Sequence, residues 1–262
     1  MERAQLLDES CQLVSNELRG PNLYLARVHS TRIASSIQPG QFVHAQLPGM
    51  EGHILRRPFS VYRADTDAEQ LDILYQVVGF GTEHMATLQP GCQLKLIGPI
   101  GASWAPPASD KPALLVGGGV GAAPLMMLAQ QLSVSGQGAR VVLGAQTQAA
   151  LVTYDDYCAL EAIEVVPATD DGSFGHAGFC TQPAQEAIES GNFDYVACCG
   201  PEPLMRIVSG LALDAGLSCQ VSLERRMACG VGACLSCVVQ TDEGRKRACV
   251  DGPIFDARKV VW

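Results

Sequence analysis

Short stretches of apolar and β-branched residues recur along the first hundred positions, and turn residues separate them. Pro39-Gly40 and Pro90-Gly91 supply two of these turns. Several short strands at this spacing predict an antiparallel β-barrel domain over residues 1–103. The stretches that we interpret as strands lie at residues 22–29, 41–47, 71–78 and 93–97.

The pattern changes after residues 104–110, a proline-rich stretch that we interpret as a linker. Fully apolar runs then alternate with segments of helical periodicity, which predicts an α/β domain with a parallel sheet over residues 104–223. The apolar runs lie at 113–116, 140–143, 163–167 and 193–199, and the helical segments at 125–132 and 204–215.

Residues 224–262 differ again, because they carry seven Lys/Arg and five Asp/Glu in a chain whose formal net charge is −9. A segment of this length is too short to build a hydrophobic core of its own. We therefore predict that a bound metal holds it together. The expected architecture is multi-domain: an antiparallel barrel, a parallel-sheet α/β domain and a small C-terminal metal-binding segment.

Composition and charge restrict the classes of function. With 47% hydrophobic and 17% charged residues, the 262-residue chain is typical of globular proteins. Its negative net charge argues against a nucleic-acid partner. Residues 112–129 are uncharged, but their glycines and prolines favour a strand, a turn and a helix over a membrane span. The start has no apolar secretion signal, so we expect a cytoplasmic location without a membrane partner.

Eleven cysteines are present, and four of them crowd into one short stretch. Their spacing is Cys229-x4-Cys234-x2-Cys237-x11-Cys249, and the first three match the C-x4-C-x2-C run of plant-type two-iron ferredoxins. The small residues between them allow the backbone to approach an anionic cluster closely. The alternatives are a structural zinc site, although zinc sites usually show two paired knuckles, and four unrelated thiols, which chance rarely places at such spacing. The pattern favours a [2Fe–2S] cluster.

A glycine-rich turn lies between a predicted strand and a predicted helix. Such a turn allows close approach of a pyrophosphate at a helix N-terminus, although by itself it is equally consistent with a structural strand–helix turn. Cys199-Gly200-Pro201 follows the next predicted strand end of the sheet and is expected to open onto the same crevice. Residues 144–153 carry no charge, which favours NAD over NADP. The candidate dinucleotide-binding glycines are Gly117, Gly118, Gly119 and Gly121.

The order of barrel, nucleotide domain and cysteine tail resembles ferredoxin-reductase-type flavoproteins. More narrowly, nearly the whole chain resembles the electron-transfer subunits of NAD-dependent (class 1B) dihydroorotate dehydrogenases. The resemblance implies that FAD binds to an Arg-Pro-x-Ser run, to a strand segment and to a Gly-Thr pair that begins a short helix. The matching residues here are Arg57, Pro58, Phe59 and Ser60, then Leu74, Tyr75 and Gln76, then Gly81 and Thr82.

The resemblance also implies a nicotinamide site and a ligand set. The nicotinamide side matches the glycine turn, Asp171 with Gly172, and Cys199 with Gly200 and Pro201, with Cys199 as the candidate catalytic residue. Two departures are visible, since Ala102-Ser103-Trp104 follows the Gly-Pro-Ile-Gly run and Ser236 replaces a glycine common in relatives. The implied cluster ligands are Cys229, Cys234, Cys237 and Cys249.

As the resemblance implies, the chain is an electron conduit. A separate FMN-containing catalytic subunit oxidises dihydroorotate to orotate in pyrimidine biosynthesis. Electrons pass through the cluster and FAD to NAD+ in a heterotetramer with two copies of each chain. Two alternatives stay open. One is a related FAD/[2Fe–2S] subunit of an NADH-dependent ferredoxin:NADP reductase or a sulfide dehydrogenase, and the other is a zinc-stabilised nucleotide-sensing module.

Overall fold

The structure, a computed structural model, describes residues 5–262. The first four residues of the predicted barrel domain lie outside the described residues. The first part of the chain forms a seven-stranded antiparallel sheet with two short helices, α1 (Thr31–Ala34) and α2 (Phe80–Thr87). Its strands are β1 (Leu7–Gly20), β2 (Leu23–His29), β3 (Phe42–Gln46), β4 (Arg57–Ser60), β5 (Arg63–Asp65), β6 (Gln70–Gln76) and β7 (Gln93–Ile100).

The sheet is not a closed barrel, which corrects the prediction. Its strand order is β4-β3-β7-β1-β2-β6-β5, so β4 and β5 are opposite edges and share no strand pairing within residues 5–262. Only Val61 and Tyr62 separate these two edge strands along the chain. The edges must therefore approach each other, and the sheet is strongly curled. Val43, Ala45, Phe59 and Ile73 are among the side chains that fill its interior.

A second seven-stranded sheet follows, and it is parallel except for its last strand. Its first six strands in chain order are β8 (Ala113–Gly118), β9 (Ala139–Ala145), β10 (Ile163–Thr169), β11 (His176–Ala177), β12 (Tyr195–Cys199) and β13 (Ser218–Ser222). The helices are α3 (Ala123–Ser135), α4 (Tyr154–Cys158), α5 (Thr181–Glu189) and α6 (Glu202–Asp214), with 3-10 turns at Gly119–Ala122, Gln148–Ala150 and Ala257–Lys259.

The apolar runs of the sequence form this sheet because strands covered by helices on both faces can be apolar throughout. Every residue of β8 is buried, as is every residue of β12. The predicted parallel sheet is confirmed. The strand order β11-β10-β9-β8-β12 places β8 and β12 side by side, with their carboxyl ends at one edge. That edge is where a doubly wound sheet binds its ligand.

The C-terminal segment contributes the last strand of the second sheet. It contains a hairpin of β14 (Val238–Thr241) and β15 (Gly244–Arg247) and a last strand, β16 (Ile254–Asp256). Strand β16 pairs antiparallel with β13 and completes the second sheet. Phe255 and Val260 also lie in a hydrophobic cluster that contains residues of β8 and β12. Strand pairing and hydrophobic packing therefore stabilise this segment, which the sequence did not predict.

The first sheet packs against the second through α3 and the 3-10 turn at Gly119–Ala122. Leu25, Tyr62 and Leu74 of the first sheet share one hydrophobic cluster with Leu115 and Ala197 of the second. The predicted domain boundaries after residues 103 and 223 stay predictions. In the part of the chain that the structure describes, no helix is long and apolar enough to cross a membrane.

Candidate flavin, nucleotide and cluster sites

The loop that begins at Cys229 wraps its backbone around one sulfur atom. Cys229 Sγ accepts hydrogen bonds from the backbone N–H groups of Val231 (3.5 Å), Ala233 (3.3 Å) and Cys234 (3.4 Å). Burial raises the pKa of the Cys229 thiol, but these hydrogen bonds outweigh it and lower that pKa to about 6. The side chain of Cys234 also helps to lower the pKa of Cys229. The loop thus stabilises a thiolate, the form of cysteine that binds metal.

The other two clustered thiols form a second, buried pair. The Sγ atoms of Cys237 and Cys249 are 3.4 Å apart, and the Ala248 N–H donates to the Cys237 carbonyl oxygen at 2.9 Å. Burial, together with the neighbouring Cys237 thiol, raises the pKa of Cys249 to about 12.

Two thiol pairs fit a binuclear centre, in which each of two irons takes two cysteine ligands. Backbone N–H groups aimed at sulfur fit the negative charge of such a cluster. The thiols and the loop N–H groups therefore fit an iron–sulfur cluster, with Cys229, Cys234, Cys237 and Cys249 as its candidate ligands.

Two of the predicted FAD contacts lie side by side on the first sheet. The Arg57 guanidinium covers Gly81 so closely that any side chain at position 81 would overlap its Nε atom. Arg57 Nη1 also donates to the Leu55 carbonyl oxygen. Thr82, at the start of α2, accepts hydrogen bonds from the N–H groups of Val78 (2.9 Å) and Gly79 (3.2 Å). The threonine hydroxyl thus holds the loop, and the guanidinium lies next to the beginning of the helix, where anions bind favourably.

The remaining predicted FAD residues divide into surface and core positions. Phe59 and Tyr75 are buried and make an edge-to-face aromatic contact, with ring centroids 5.8 Å apart. The Tyr75 hydroxyl donates to Asn16 Oδ1 at 3.0 Å, and burial raises the pKa of this tyrosine above its usual range. Leu74 is buried between the two sheets. The more accessible members of the set are Pro58, Ser60 and Gln76.

Close backbone contacts explain the glycines of the second sheet. A Cβ atom at Gly121 would lie 2.6 Å from the Gly200 Cα atom and 2.7 Å from the Cys199 carbonyl oxygen. A Cβ atom at Gly117 would lie 2.9 Å from the Cα atom of Ala122. Gly119 has a positive φ of 57°, which favours glycine. The glycine turn after β8 and the Gly-Pro pair after β12 therefore pack backbone against backbone.

A cavity of about 710 Å³ opens at this edge, between the two sheets. It brings together several predicted NAD residues and one predicted FAD residue, Gln76. Asp170 reaches the cavity, whereas Asp171, Gly172 and Gly117 are not part of its wall. Asp171 instead accepts hydrogen bonds from the Ser173 hydroxyl (2.6 Å) and N–H (3.0 Å), which lower its pKa. The predicted NAD residues in the wall are Gly118, Gly119, Gly121, Gly200 and Pro201.

Cys199 lies behind the cavity wall. It is 2% exposed, and its Sγ points to the Ser222 carbonyl oxygen at 3.8 Å. Burial raises its thiol pKa far above the ordinary value. A thiol in this state is protonated and apolar in character. Its backbone, in contrast, touches Gly121 directly.

Sequence reasoning missed several residues at these sites. Phe179, 72% exposed, and Glu224 line the nucleotide cavity, as does Asn22 from the turn between β1 and β2. His44 is completely buried against Gly230 of the cluster loop. Short polar or aromatic residues of this kind carry no motif, because only the fold brings them to the site.

A curled antiparallel sheet, a parallel sheet with a nucleotide-type cavity and a four-thiol tail define an oxidoreductase of the ferredoxin-reductase class. Two family models match the chain: "Oxidoreductase FAD-binding domain" over residues 10–104 and "Iron-sulfur cluster binding domain of dihydroorotate dehydrogenase B" over residues 224–261. The match over the tail favours iron–sulfur over zinc.

Full-length relatives and solved structures agree with this assignment. The chain is 36% identical over 246 residues to a protein of Desulforamulus reducens, covering 92% of this chain and 94% of the relative. It is 38% identical over 259 residues to one of Geobacillus kaustophilus, covering 97% and 98%. Both are named "Dihydroorotate dehydrogenase B (NAD(+)), electron transfer subunit".

A solved structure of an NADH-dependent reduced ferredoxin-NADP oxidoreductase matches with a TM-score of 0.86 and 28% identity over 96% of this chain and 90% of that one. A ferredoxin reductase of carbazole 1,9a-dioxygenase has the same fold, with a TM-score of 0.72 at 21% identity over 83% of this chain and 68% of that one. The chain belongs to the family of electron-transfer subunits of NAD-dependent dihydroorotate dehydrogenase B.

Proposed function

We propose that this chain carries electrons from the FMN of a dihydroorotate-oxidising catalytic subunit to NAD+ in pyrimidine biosynthesis. The bound cofactors, a [2Fe–2S] cluster and FAD, supply the one- and two-electron chemistry, while the chain supplies binding and orientation. The assembly proposed is a heterotetramer with two copies of each subunit. The seven cysteines outside the proposed ligand set form no disulfide, which supports a reducing, cytoplasmic location.

One observation carries the proposal: strand β3 pairs with the predicted flavin run, and its His44 packs against Gly230 in the loop of the cluster cysteines. Phe42 pairs with Ser60 of β4 across the first sheet. The Phe42 side chain lies in the same hydrophobic cluster as Cys237 and Cys249. A redox centre held by these thiols is therefore bound against the strand next to the one proposed to bind FAD.

We assign FAD binding to the two neighbouring features on the first sheet. Arg57 presents a guanidinium suited to a pyrophosphate, and Gly81 leaves room for it at the start of α2. Pro58, Ser60 and Gln76 are the accessible members of the proposed site. Phe59, Leu74, Tyr75 and Thr82 support it from the core and the loop.

We assign NAD(H) to the cavity between the two sheets. Gln76 in its wall comes from the proposed flavin side, and the glycine turn comes from the dinucleotide side. Such a wall allows a nicotinamide and a flavin to meet. The wall has no Lys or Arg among the described residues, and it contains the acidic Asp170 and Glu224. A 2′-phosphate would be unbalanced there, which supports NAD over NADP. Asp171 and Gly172 are assigned to the turn that positions Asp170.

Cys199 is proposed to act through its backbone. Its carbonyl oxygen packs on Gly121, so the residue fixes the distance between the two turns that line the cavity. A conservative Cys199→Ser substitution is expected to preserve NADH binding. A loss of flavin reduction without a loss of NADH affinity would instead assign a chemical role to the thiol.

The decisive experiment separates the two halves of the proposed electron path. The chain is co-expressed with the family's FMN-containing catalytic subunit, as wild type and as Cys234→Ser, at a position that is exposed. NADH is expected to bleach the flavin in both proteins. Dihydroorotate-dependent NADH formation is expected only with the intact ligand set. Equal orotate formation by both proteins would contradict the proposed route, as would wild-type protein without iron and sulfide.

A second candidate rests on the similarity to the ferredoxin-NADP oxidoreductase structure. Under that alternative the chain serves a different partner. Co-purification decides between them: an FMN-containing partner with orotate formation supports the first proposal, and reduction of ferredoxin without dihydroorotate turnover supports the second.

A further inference from the structure

His44 lies on the face of β3 that the C-terminal segment covers. Its neighbours Val43 and Ala45 point into the core of the first sheet. Because side chains alternate along a strand, His44 and Phe42 point to the opposite face. Phe42 on that face packs in the hydrophobic cluster that contains Cys237 and Cys249. The histidine therefore lies beneath the cluster-binding segment.

The His44 ring contacts the residue that follows the first cluster cysteine. A Cβ atom at Gly230 would lie 2.6 Å from His44 Nδ1 and 3.3 Å from its Cε1 atom. Gly230 also has a positive φ of 68°. Position 230 therefore requires glycine for two independent reasons: its backbone conformation, and the imidazole that packs on it. The ring and the turn at Cys229–Gly230 are held in one arrangement.

The imidazole is fully buried, yet neither of its ring nitrogens makes a hydrogen bond to another described residue. An imidazole in any protonation state carries at least one N–H donor. A buried donor without an acceptor is strongly disfavoured, so such a group in a folded protein points to a missing ligand. Backbone carbonyl groups of Arg56 and Cys229 lie near the ring without reaching hydrogen-bond geometry, and Cys229 belongs to the cluster loop that packs on the ring. The acceptor that the ring lacks is therefore sought in the group that this loop holds.

We propose that His44 donates its ring N–H to a sulfur atom of the iron–sulfur cluster held by the Cys229 loop. The inference rests on the proposed function, since it requires the cluster. His44 is a positioning residue: it fixes the loop against β3 and places a donor at an anionic centre. Hydrogen bonds to the sulfur atoms of an iron–sulfur cluster help set the reduction potential of that cluster. The cluster gains negative charge on reduction, so a donor favours the reduced form.

The first test uses the wild-type complex, so it does not depend on a variant that folds. The complex is prepared with ¹⁵N-labelled histidine only, the cluster is reduced, and pulsed EPR is used to detect nitrogen coupled to the cluster spin. A histidine nitrogen coupling is expected, and it should be absent from His44→Leu. A reduced cluster without any histidine coupling in the labelled wild type would overturn the proposal.

The second test measures the reduction potential of the cluster. His44→Leu removes the donor with little loss of volume and is expected to disfavour reduction about tenfold, or about 59 mV for one electron. His44→Gln keeps an N–H donor and should lie closer to wild type. His29→Leu, at an exposed histidine on β2, is the matched control and should leave the potential unchanged. Wild-type potentials in both His44 variants would overturn the inference.

Iron and sulfide content separates this inference from the proposed function. A wild-type complex without a cluster contradicts both. A complete cluster with no histidine coupling contradicts only the role of His44. If His44→Leu binds no cluster, the labelled wild type and His44→Gln still decide the result.

Discussion

The close contact between Gly121 and the turn after β12 gives a prediction with a calculable magnitude. In Gly121→Ala the new Cβ atom would lie 2.6 Å from the Cα atom of Gly200. Carbon atoms pack favourably at about 3.5–4.0 Å, so the overlap is roughly 1 Å. Both partners are backbone atoms at the ends of buried strands, and neither can move away by changing a rotamer. The overlap must therefore displace one turn of the cavity wall.

Overpacking of this kind costs about 1–3 kcal/mol. For a chain of this size, each kcal/mol lowers Tm by about 2–4 °C. Gly121→Ala should therefore lower the Tm of the protein by roughly 2–12 °C. Because the displaced turn carries the proposed pyrophosphate-binding N–H groups, the Kd for NADH should also rise about tenfold, the effect of one lost hydrogen bond to a charged group.

Gly210→Ala is the matched control, since Gly210 lies in α6 and a Cβ atom there meets nothing within 4 Å. Alanine is favoured over glycine inside a helix by about 0.5–1 kcal/mol, so this variant should be slightly more stable than wild type. Thermal unfolding followed by circular dichroism and NADH titration followed by flavin bleaching measure both effects. A Gly121→Ala protein with wild-type Tm and NADH affinity would refute the idea that the contact with Gly200 requires glycine at position 121.

Three further predictions address the other sites. Arg57→Ala should weaken FAD binding about 10- to 100-fold, because one charge-assisted contact to phosphate is lost; FAD titration of deflavinated protein measures it, and unchanged affinity would remove Arg57 from the site. Cys229→Ser should lose iron and sulfide, whereas the exposed Cys158→Ser should retain both; equal contents would contradict the ligand assignment. Removal of iron should increase hydrogen exchange at 229–237 but not at 254–260, and uniform exchange across the tail would show that the metal alone holds it.

The sequence was most informative where chemistry or burial imposes a local pattern. The fully buried β8 and β12 read as apolar runs, and the parallel sheet followed from them. The cysteine spacing pointed to an iron–sulfur centre because a cluster restricts the distances between its ligands. The glycine turn was ambiguous alone, and only the contact between Gly121 and Gly200 explains why side chains are excluded there.

Other features could not be predicted because the fold, not the local sequence, creates them. Strand β1, Leu7–Gly20, is mostly polar and partly exposed, so its periodicity is weak although it lies between β7 and β2. The open edges of the first sheet depend on pairing that no single strand encodes. His44 carries no motif, and its environment is set by Gly230 in a distant part of the chain.

The attachment of the C-terminal segment has a consequence for electron transfer. The segment is anchored by β16 in the second sheet and covers β3 of the first, with Phe42 in the same hydrophobic cluster as Phe255. The cluster cysteines are therefore held by both sheets at once. Electron transfer requires a fixed arrangement of redox centres. If the metal alone held the tail, only the Cys229 loop would fix the position of the cluster relative to the flavin site. Because Phe42 and Phe255 share a hydrophobic cluster with Cys237 and Cys249, the position of the proposed cluster depends instead on the whole core.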